Sequence, residues 1–379
     1  MPWGEVTVES SRSEFVRFAS QPGANLRELC RRFDVSAKTG YKWLARYRVD
    51  GLDGLADRSR RPRHSPSRSA LVTEERVLAL RAQYPDWGGR KLRALLLKDG
   101  LTAVPSASTI TAILGRHGQL DPARAGKPRA FTRFEHEAPN QLWQMDFKGH
   151  FALVDARASR CFPLTILDDH SRYNLCLRAC ANEREETVRE ALTAAFRTYG
   201  RPLRITADNG SPWGNSAGEG LTGLGAWIVR LGIQLSHSRP YHPQTQGKDE
   251  RFHRTLKGEL LARQGFASLA GAQAAFDGWR ERYNCVRPHE ALALQPPVSR
   301  YRPSPRSFPE TLPPIEYASS DHVRRVQGRG EINFQGREHR IGKGLAGLPV
   351  ALRGTGEEDT WDVFFCDQLV KRLWLREAP

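Results

Sequence analysis

Apolar positions recur at helical spacing through the first third of the chain, alternate between strand-like and helical runs through the middle, and end in short strand-like runs. Residues 13–50 read as helical. Leu26, Leu29 and Phe33 repeat at i, i+3 and i+7, the stripe of a buried helix face. Asp34-Val35-Ser36 breaks the stripe, and Ser36 can cap a second helix carrying Lys38, Lys42, Trp43 and Leu44. Two short helices with lysines on the second read either as a helix-turn-helix or as a plain helical hairpin. A second helical unit spans 73–118. There Thr73 can cap a helix over 74–84, Trp87-Gly-Gly-Arg-Lys-Leu opens another, and Ser106 caps a third over 107–116.

From about residue 138 the pattern changes to strands at 162–167, 175–180, 203–207 and 234–238, with Leu142–Met145 as the first strand. Helices interleave at 185–199, 220–231, 250–263 and 268–283. That alternation implies an α/β domain with a mixed sheet. Residues 296–314 are proline-rich. Beyond them Val323/Val326, Ile332/Phe334, Val350/Leu352, Trp361/Val363/Phe365 and Leu373/Leu375 alternate in strand fashion, with turns at Gly328-Arg-Gly330 and Gln335-Gly336. Such a run of short strands predicts a small β-barrel.

The expected boundaries are helix-turn-helix units at 1–56 and 71–120 (the second winged-helix-like), a basic linker at 57–70, a linker at 121–137, an α/β core at 138–300, a proline-rich linker at 301–318 and a barrel at 319–379.

Charge adds a partner to this outline. The formal net charge is +16, and residues 1–130 carry 24 Lys and Arg against 13 Asp and Glu. Concentrated positive charge favours a polyanion, most often nucleic acid. Arg58, Arg60, Arg61, Arg63 and Arg68 lie among prolines and serines in a stretch that cannot build a core. It reads as a solvated linker or as an arm reaching phosphates or a narrow minor groove, and the flanking basic helical units favour the arm. Lys38, Lys42, Arg90 and Lys91 are candidate contacts on the helical units.

Cys30, Cys161, Cys176, Cys180, Cys285 and Cys366 form no CxxC pair. That argues against a zinc ribbon and a secreted disulfide framework and for buried, reduced thiols. No apolar run reaches the length of a membrane span, and the N-terminus lacks the apolar core of a signal peptide. The expectation is a soluble, cytoplasmic protein with no membrane partner.

Three carboxylates stand where element ends expose them. Asp146 follows the apolar-leaning Leu142–Met145, Asp208 ends the strand at 203–207 and enters an Asn-Gly turn, and Glu250 opens a long helix. Divalent ions about 3.5–4 Å apart can activate an attacking oxygen and stabilise a leaving one in phosphodiester transfer, and hard oxygen ligands suit magnesium or manganese. Taken singly, Asp208 reads as a turn residue, Asp146 as a cap and Glu250 as a solvated helix position.

Together these residues resemble a family. Leu-Trp-Gln-Met-Asp146-Phe-Lys, Ile-Leu-Asp-Asp-His-Ser-Arg172, Thr-Ala-Asp208-Asn-Gly-Ser and Arg-Pro-Tyr-His-Pro-Gln-Thr-Gln-Gly-Lys-Asp-Glu250-Arg-Phe-His-Arg-Thr-Leu-Lys are similar to the integrase core of DDE-type bacterial insertion-sequence transposases of the insertion sequence 481 type. Tyr283-Asn-Cys-Val-Arg-Pro-His-Glu-Ala-Leu292, Tyr41-Lys-Trp43 and Gly51-Leu-Asp-Gly-Leu extend the resemblance over nearly the whole chain. It implies a multidomain α/β protein: two N-terminal helix-turn-helix domains, a ribonuclease-H-like core shared with retroviral integrases, and a small SH3-like C-terminal β-barrel. It also implies Asp146, Asp208 and Glu250 as catalytic residues holding two Mg2+ ions, with Mn2+ as a substitute.

The Gly-Lys-x-Glu-Arg-Phe register selects Glu250 over Asp249, which would then point roughly 100° away on the helix. Relatives space the second and third acids more closely than the 41 residues intervening here, and the extra length is expected in the glycine-rich stretch 213–223. Lys257 and Arg254 share the Glu250 face and join Lys248 as candidate DNA contacts; Arg254 reads equally as an i,i+4 surface partner of Glu250. Asp168 and Asp169 are expected to form structural hydrogen bonds, with Asp168 within possible reach of a metal.

The function implied is binding of terminal inverted repeats, hydrolysis of a phosphodiester to expose a 3′-hydroxyl, and transfer of that end into target DNA. The partners are then double-stranded DNA and at least one further copy of the chain. A DNA-binding regulator with an inert core and a nuclease that cuts without joining are the competing readings.

Overall fold

The computed structural model describes residues 8–58, 68–101, 103–121, 135–154, 159–214, 220–237 and 247–375. The chain divides into two compact units, Met1–Arg68 and Ser69–Pro379.

In the first unit, α1 (Val8–Ala19), α2 (Leu26–Arg32) and α3 (Ala37–Asp50) lead into a 3-10 turn at Gly51–Leu55. Asn25 and Ser36 cap α2 and α3 by accepting from the N–H groups of Glu28 and Thr39, satisfying donors that a helix start leaves unpaired. Phe15, Val16, Cys30, Trp43 and Leu55 form the core. A Cβ on Gly40 would lie 2.4 Å from Cys30 Sγ, so glycine is what lets α3 approach α2 this closely.

The second unit opens with α4 (Leu71–Gln83), α5 (Gly89–Lys98) and α6 (Ala107–Arg116). Ser106 caps α6 as expected. Thr73 does not cap α4: the helix begins at Leu71, where the backbone N–H groups of Thr73 and Glu74 bond to Ala70 O at 2.9 and 3.1 Å. Glu74 instead lies buried and accepts from Arg116 at 2.7 Å, tying α4 to α6. Val77, Leu92, Leu96, Ile110, Ile113 and Leu114 fill the space between them.

The central mixed sheet places β1 (Leu142–Phe147) at its centre. On one side β1 pairs antiparallel with β3 (Arg160–Asp168), which carries β2 (Phe151–Ala152) and β4 (Asn174–Cys180). On the other side it pairs parallel with β5 (Arg204–Ala207), and β5 pairs parallel with β6 (Gln234–His237). This mixed sheet has the antiparallel half and parallel half of a ribonuclease-H-like fold.

Helices cover both faces. Trp143 and Met145 pack with residues of α7 (Glu185–Tyr199) and α8 (Gly223–Arg230). The opposite face carries α9 (Gly247–Leu256) and α10 (Leu269–Cys285), whose Phe252, Leu256, Phe276 and Trp279 form a second core. Successive β-residues alternate faces, so Gln144 and Asp146 point to the α9 side. After Leu256, α9 widens into a π turn, Lys257–Leu261. Glu259 in that turn accepts from Trp87 Nε1 at 3.2 Å and Arg287 at 2.9 Å, joining the second helical unit to the end of α9.

The tail departs from the expected closed barrel. Among the described residues, β12 (Gln368–Trp374), β11 (Thr360–Phe365), β10 (Pro349–Gly354) and β7 (His322–Arg325) form one open antiparallel sheet. The hairpin of β8 (Glu331–Phe334) and β9 (Arg337–Arg340) stands apart, turned by Gln335 and Gly336 at φ 48 and 73. Its strands are four residues long, too short to bridge the open edges by ladder bonds. Ile332 and Phe334 close the core through side-chain packing instead, with Phe334 edge-on to Trp361 at 4.9 Å.

Candidate active site

Parallel pairing of β1 with β5 brings their C-terminal ends side by side. Asp146 leaves β1 one residue before its end, and Asp208 follows Ala207 directly. Trp213 fixes the pair: its ring stacks on Phe147 at 5.3 Å while its indole N–H donates to Asp208 Oδ1. Gly210 N–H donates to the same oxygen at 2.9 Å, and His237 Nδ1–H donates to Asp208 O at 2.8 Å. Asp208 is therefore a turn residue held rigidly beside Asp146. Trp213, expected in a surface loop, is 2% exposed.

The third side of the site comes from α9. Its inward stripe is Asp249, Phe252, His253 and Leu256, the i, i+3, i+4, i+7 spacing of a buried helix face. Asp249 points inward, 1% exposed, and Glu250 lies on the exposed face with Arg254 and Lys257. The expectation that Asp249 turns away from the site is corrected here. Phe252 and Leu256 set the rotation of the helix, and Asp249 falls on their stripe. The signal was present in the sequence, since extending that stripe back by three residues reaches Asp249.

His253 Nδ1 lies 3.8 Å from Asp146 Oδ2, and its Nε2 lies 3.5 Å from Asp249 Oδ2. Thr165, paired with Asp146 across β3 and β1, meets His253 Nε2 at 2.8 Å and donates to Asp146 O at 3.0 Å.

This packing perturbs the acids. Burial first, and the charge of Asp208 second, push the Asp146 carboxyl from 3.8 up to about 7. Burial and then Asp146 push Asp249 well above its ordinary value. Burial, with Lys148 adding to it, pushes His253 down to about 3, so its ring is neutral at pH 7.

The two shifts act oppositely on stability. The raised Asp146 contributes stability at low pH that is lost as pH climbs through about 7. The depressed His253 contributes stability above 6.5 that is lost as pH falls toward about 3. A cation-induced shift isolates the acid, because a carboxylate must shed its proton to bind a cation. Mg2+ should therefore raise the melting temperature more at about pH 8 than at about pH 6. Equal shifts at both values would contradict the perturbed Asp146.

The residues fit a divalent metal. Ligand atoms of Asp146, Asp249 and His253 lie within 4.8 Å of one another. Asp249 Oδ2 is buried with no hydrogen-bond partner, a costly arrangement that a cation would relieve. The donor set is otherwise carboxylate oxygen, the ligand chemistry of Mg2+ and Mn2+.

Asp168 and Asp169 serve structure, as expected. Asp168 accepts from Asn140 N–H at 2.7 Å and from Ser171 N–H at 2.8 Å. Asp169 accepts from Gln144 Nε2 at 2.9 Å and pairs with Lys248.

Lys248 is thus committed inward, and Lys91 is likewise half-buried on α5, where burial and then Arg287 lower its pKa to about 8. Both depart from the expected free contact surface: Lys248 pairs with Asp169, and Lys91 is partly buried on α5. Lys38, Lys42, Arg58, Arg90, Arg254 and Lys257 are exposed, although Arg58 pairs with Asp50 at 2.5 Å and Arg90 lies 3.7 Å from Glu290. Arg60, Arg61, Arg63 and His242 lie outside the described residues. All six cysteines are free, four of them buried and Cys285 and Cys366 half-exposed. No helix among the described residues is long and apolar enough to cross a membrane.

Comparison with known proteins agrees with this geometry. Residues 136–243 and 231–297 match two models of the integrase core domain. Residues 12–63 match a helix-turn-helix domain and 39–114 a homeodomain-like domain. Residues 321–378 match the C-terminal domain of the IS481 family transposases.

The chain is 28% identical over 233 residues to an uncharacterized 31.7 kDa protein of insertion element IS407 from Burkholderia multivorans, covering 60% of this chain and 79% of that protein. It is 31% identical over 160 residues to the IS476 39.2 kDa protein of Xanthomonas euvesicatoria, covering 42% of this chain and 44% of that one. The transposase InsD of Escherichia coli insertion element IS2 is 26% identical over 266 residues, 65% of this chain and 81% of that protein. Among solved structures, the HTLV-2 integrase catalytic core in complex with magnesium aligns with 44% of this chain and 99% of its own, at 16% identity and a TM-score of 0.33. These matches support an IS481-type insertion-sequence transposase, a DDE polynucleotidyl transferase with an integrase core domain that implies dependence on divalent metal.

Proposed function

We propose that the chain binds the terminal inverted repeats of its own insertion sequence, frees a 3′-hydroxyl at each end and joins it to target DNA, using two Mg2+ ions for which Mn2+ can substitute. The observation that carries this reading is the convergence of Asp146 and Asp208 at adjacent parallel strand ends. In this reading Asp146 and Asp208 grip the ions from the sheet and Glu250 supplies the third carboxylate from α9. When bound, the ions activate the attacking oxygen and stabilise the leaving oxygen.

In the first step the oxygen of water attacks the phosphorus at the element end. The bond to the 3′ oxygen breaks, and that oxygen leaves as a hydroxyl. In the second step the 3′ oxygen attacks a target phosphodiester and displaces a target 3′-hydroxyl. Arg254 and Lys257, exposed on the Glu250 face, hold the phosphate backbone. The helix-turn-helix units at 1–56 and 71–120 recognise the ends, helped by Lys38, Lys42, Arg58, Arg90 and the arm bearing Arg60, Arg61 and Arg63. Two ends must be held together, so the working form is at least a dimer on DNA.

Incubating the full chain with Mg2+, end-labelled terminal-repeat DNA and a supercoiled target tests this directly. Labelled ends covalently joined to the target are expected. Cleavage with no joined product would make the chain a nuclease, and end binding with neither reaction would make it a regulator; either result overturns the reading.

A further inference from the structure

Asp249 and His253 are not among the three acids assigned above, yet they face Asp146 from the interior side of α9. Thr165 explains what the imidazole presents. Its Oγ1 lies 3.0 Å from Asp146 O and 3.4 Å from Asp249 Oδ1, both of which can only accept; with its proton given to either, it accepts from His253 Nε2–H at 2.8 Å. With the proton on Nε2, the Nδ1 lone pair is free and faces Asp146 Oδ2 at 3.8 Å. A lone pair aimed at a carboxylate oxygen is repulsive unless a proton or a cation lies between them, and 3.8 Å is too long for a shared proton. A threonine on the far nitrogen is the arrangement that fixes the tautomer of a metal-ligating histidine. The second sign is independent of the first: Asp249 is 1% exposed and its Oδ2 has no hydrogen-bond partner.

We propose that Asp146, Asp249 and His253 form a further divalent-cation position on the buried side of the active site, one that prefers Mn2+ to Mg2+. The preference follows from the imidazole. Mg2+ favours an all-oxygen shell, whereas nitrogen ligation suits transition ions. Asp146 would then serve two positions, one shared with Asp208 and one with α9. The inference rests on Asp146 being a metal ligand as proposed above.

Mn2+ binding to the full chain without DNA, in excess Mg2+, tests it by electron paramagnetic resonance. Wild type is expected to retain a bound Mn2+ whose pulsed spectrum carries the coupling of a directly ligated nitrogen. D249N and H253Q should each weaken that binding by about tenfold or more, while E250Q and D208N leave it in place. A bound Mn2+ with no nitrogen coupling overturns the proposal in the wild-type chain, whether or not either variant folds. So does Mn2+ binding that survives in D249N and H253Q and is lost in E250Q. Failure of the broader reading shows differently, as unimpaired Mg2+-dependent joining by E250Q and D208N.

Discussion

Asp146→Asn is expected to lower both end cleavage and joining by about two to three orders of magnitude, on the scale seen when a group stabilising transition-state charge is removed. Binding of terminal-repeat DNA should be unchanged. The size of the effect follows from the position of Asp146. It sits on the central strand, beside Asp208 on the parallel neighbour, and faces α9 across the site. The amide keeps the shape and can still accept from neighbours, but it loses the charge that a divalent ion requires. The exposed lysines and arginines on the helical units are untouched by the change. Measured rates with matched binding isotherms check it: a variant that joins ends at a wild-type rate would remove Asp146 from the chemistry, and one that also fails to bind ends would point to misfolding.

The second large effect is on stability. Phe252→Ala is expected to cost about 3–5 kcal/mol, the range for deleting a fully buried aromatic ring. Phe252 is 2% exposed and meets Trp279 and Tyr283 edge-on, at 5.5 and 4.9 Å between ring centroids. These contacts anchor α9 to α10, and α9 carries Asp249, Glu250 and His253. The loss should appear as a lower urea midpoint with little change in slope. It should also reach activity, because the helix that supplies the third side of the site would lose its seat. Phe252→Leu, which keeps most of the volume, should lose much less. A cost below about 1 kcal/mol for the alanine variant would mean that α9 is held elsewhere.

Much of this architecture is legible in the sequence because local pattern and tertiary packing agree. Helix α7 occupies Glu185–Tyr199, as its apolar periodicity predicts, and Ser36 and Ser106 cap the helices they precede. What was not legible depends on partners distant in sequence. β2 is two residues long and exists because β3 offers it an edge. β9 is a polar run, Arg-Glu-His-Arg, that becomes a strand only as the return arm of the Gln335-Gly336 turn. Lys91 and Lys248 read as surface cations, but Lys248 turns in to pair with Asp169 and Lys91 is partly buried against distant segments of the chain.

At the site, the strand carboxylates Asp146 and Asp208 were visible as residues at strand ends. The rotation of α9 was legible as well, in the apolar stripe of Phe252 and Leu256 that turns Asp249 and His253 inward, but the motif register pointed to Glu250 instead. Trp213 was hidden for a different reason. It lies in a glycine-rich loop, and only the stacking on Phe147 reveals that it braces Asp208.

The most direct measurement is anomalous scattering from Mn2+ in crystals of the full chain bound to both element ends. A peak within coordination distance of both Asp146 and Asp208, beside the phosphate to be cut, is the predicted result. Mn2+ found only away from Asp146 would contradict the account.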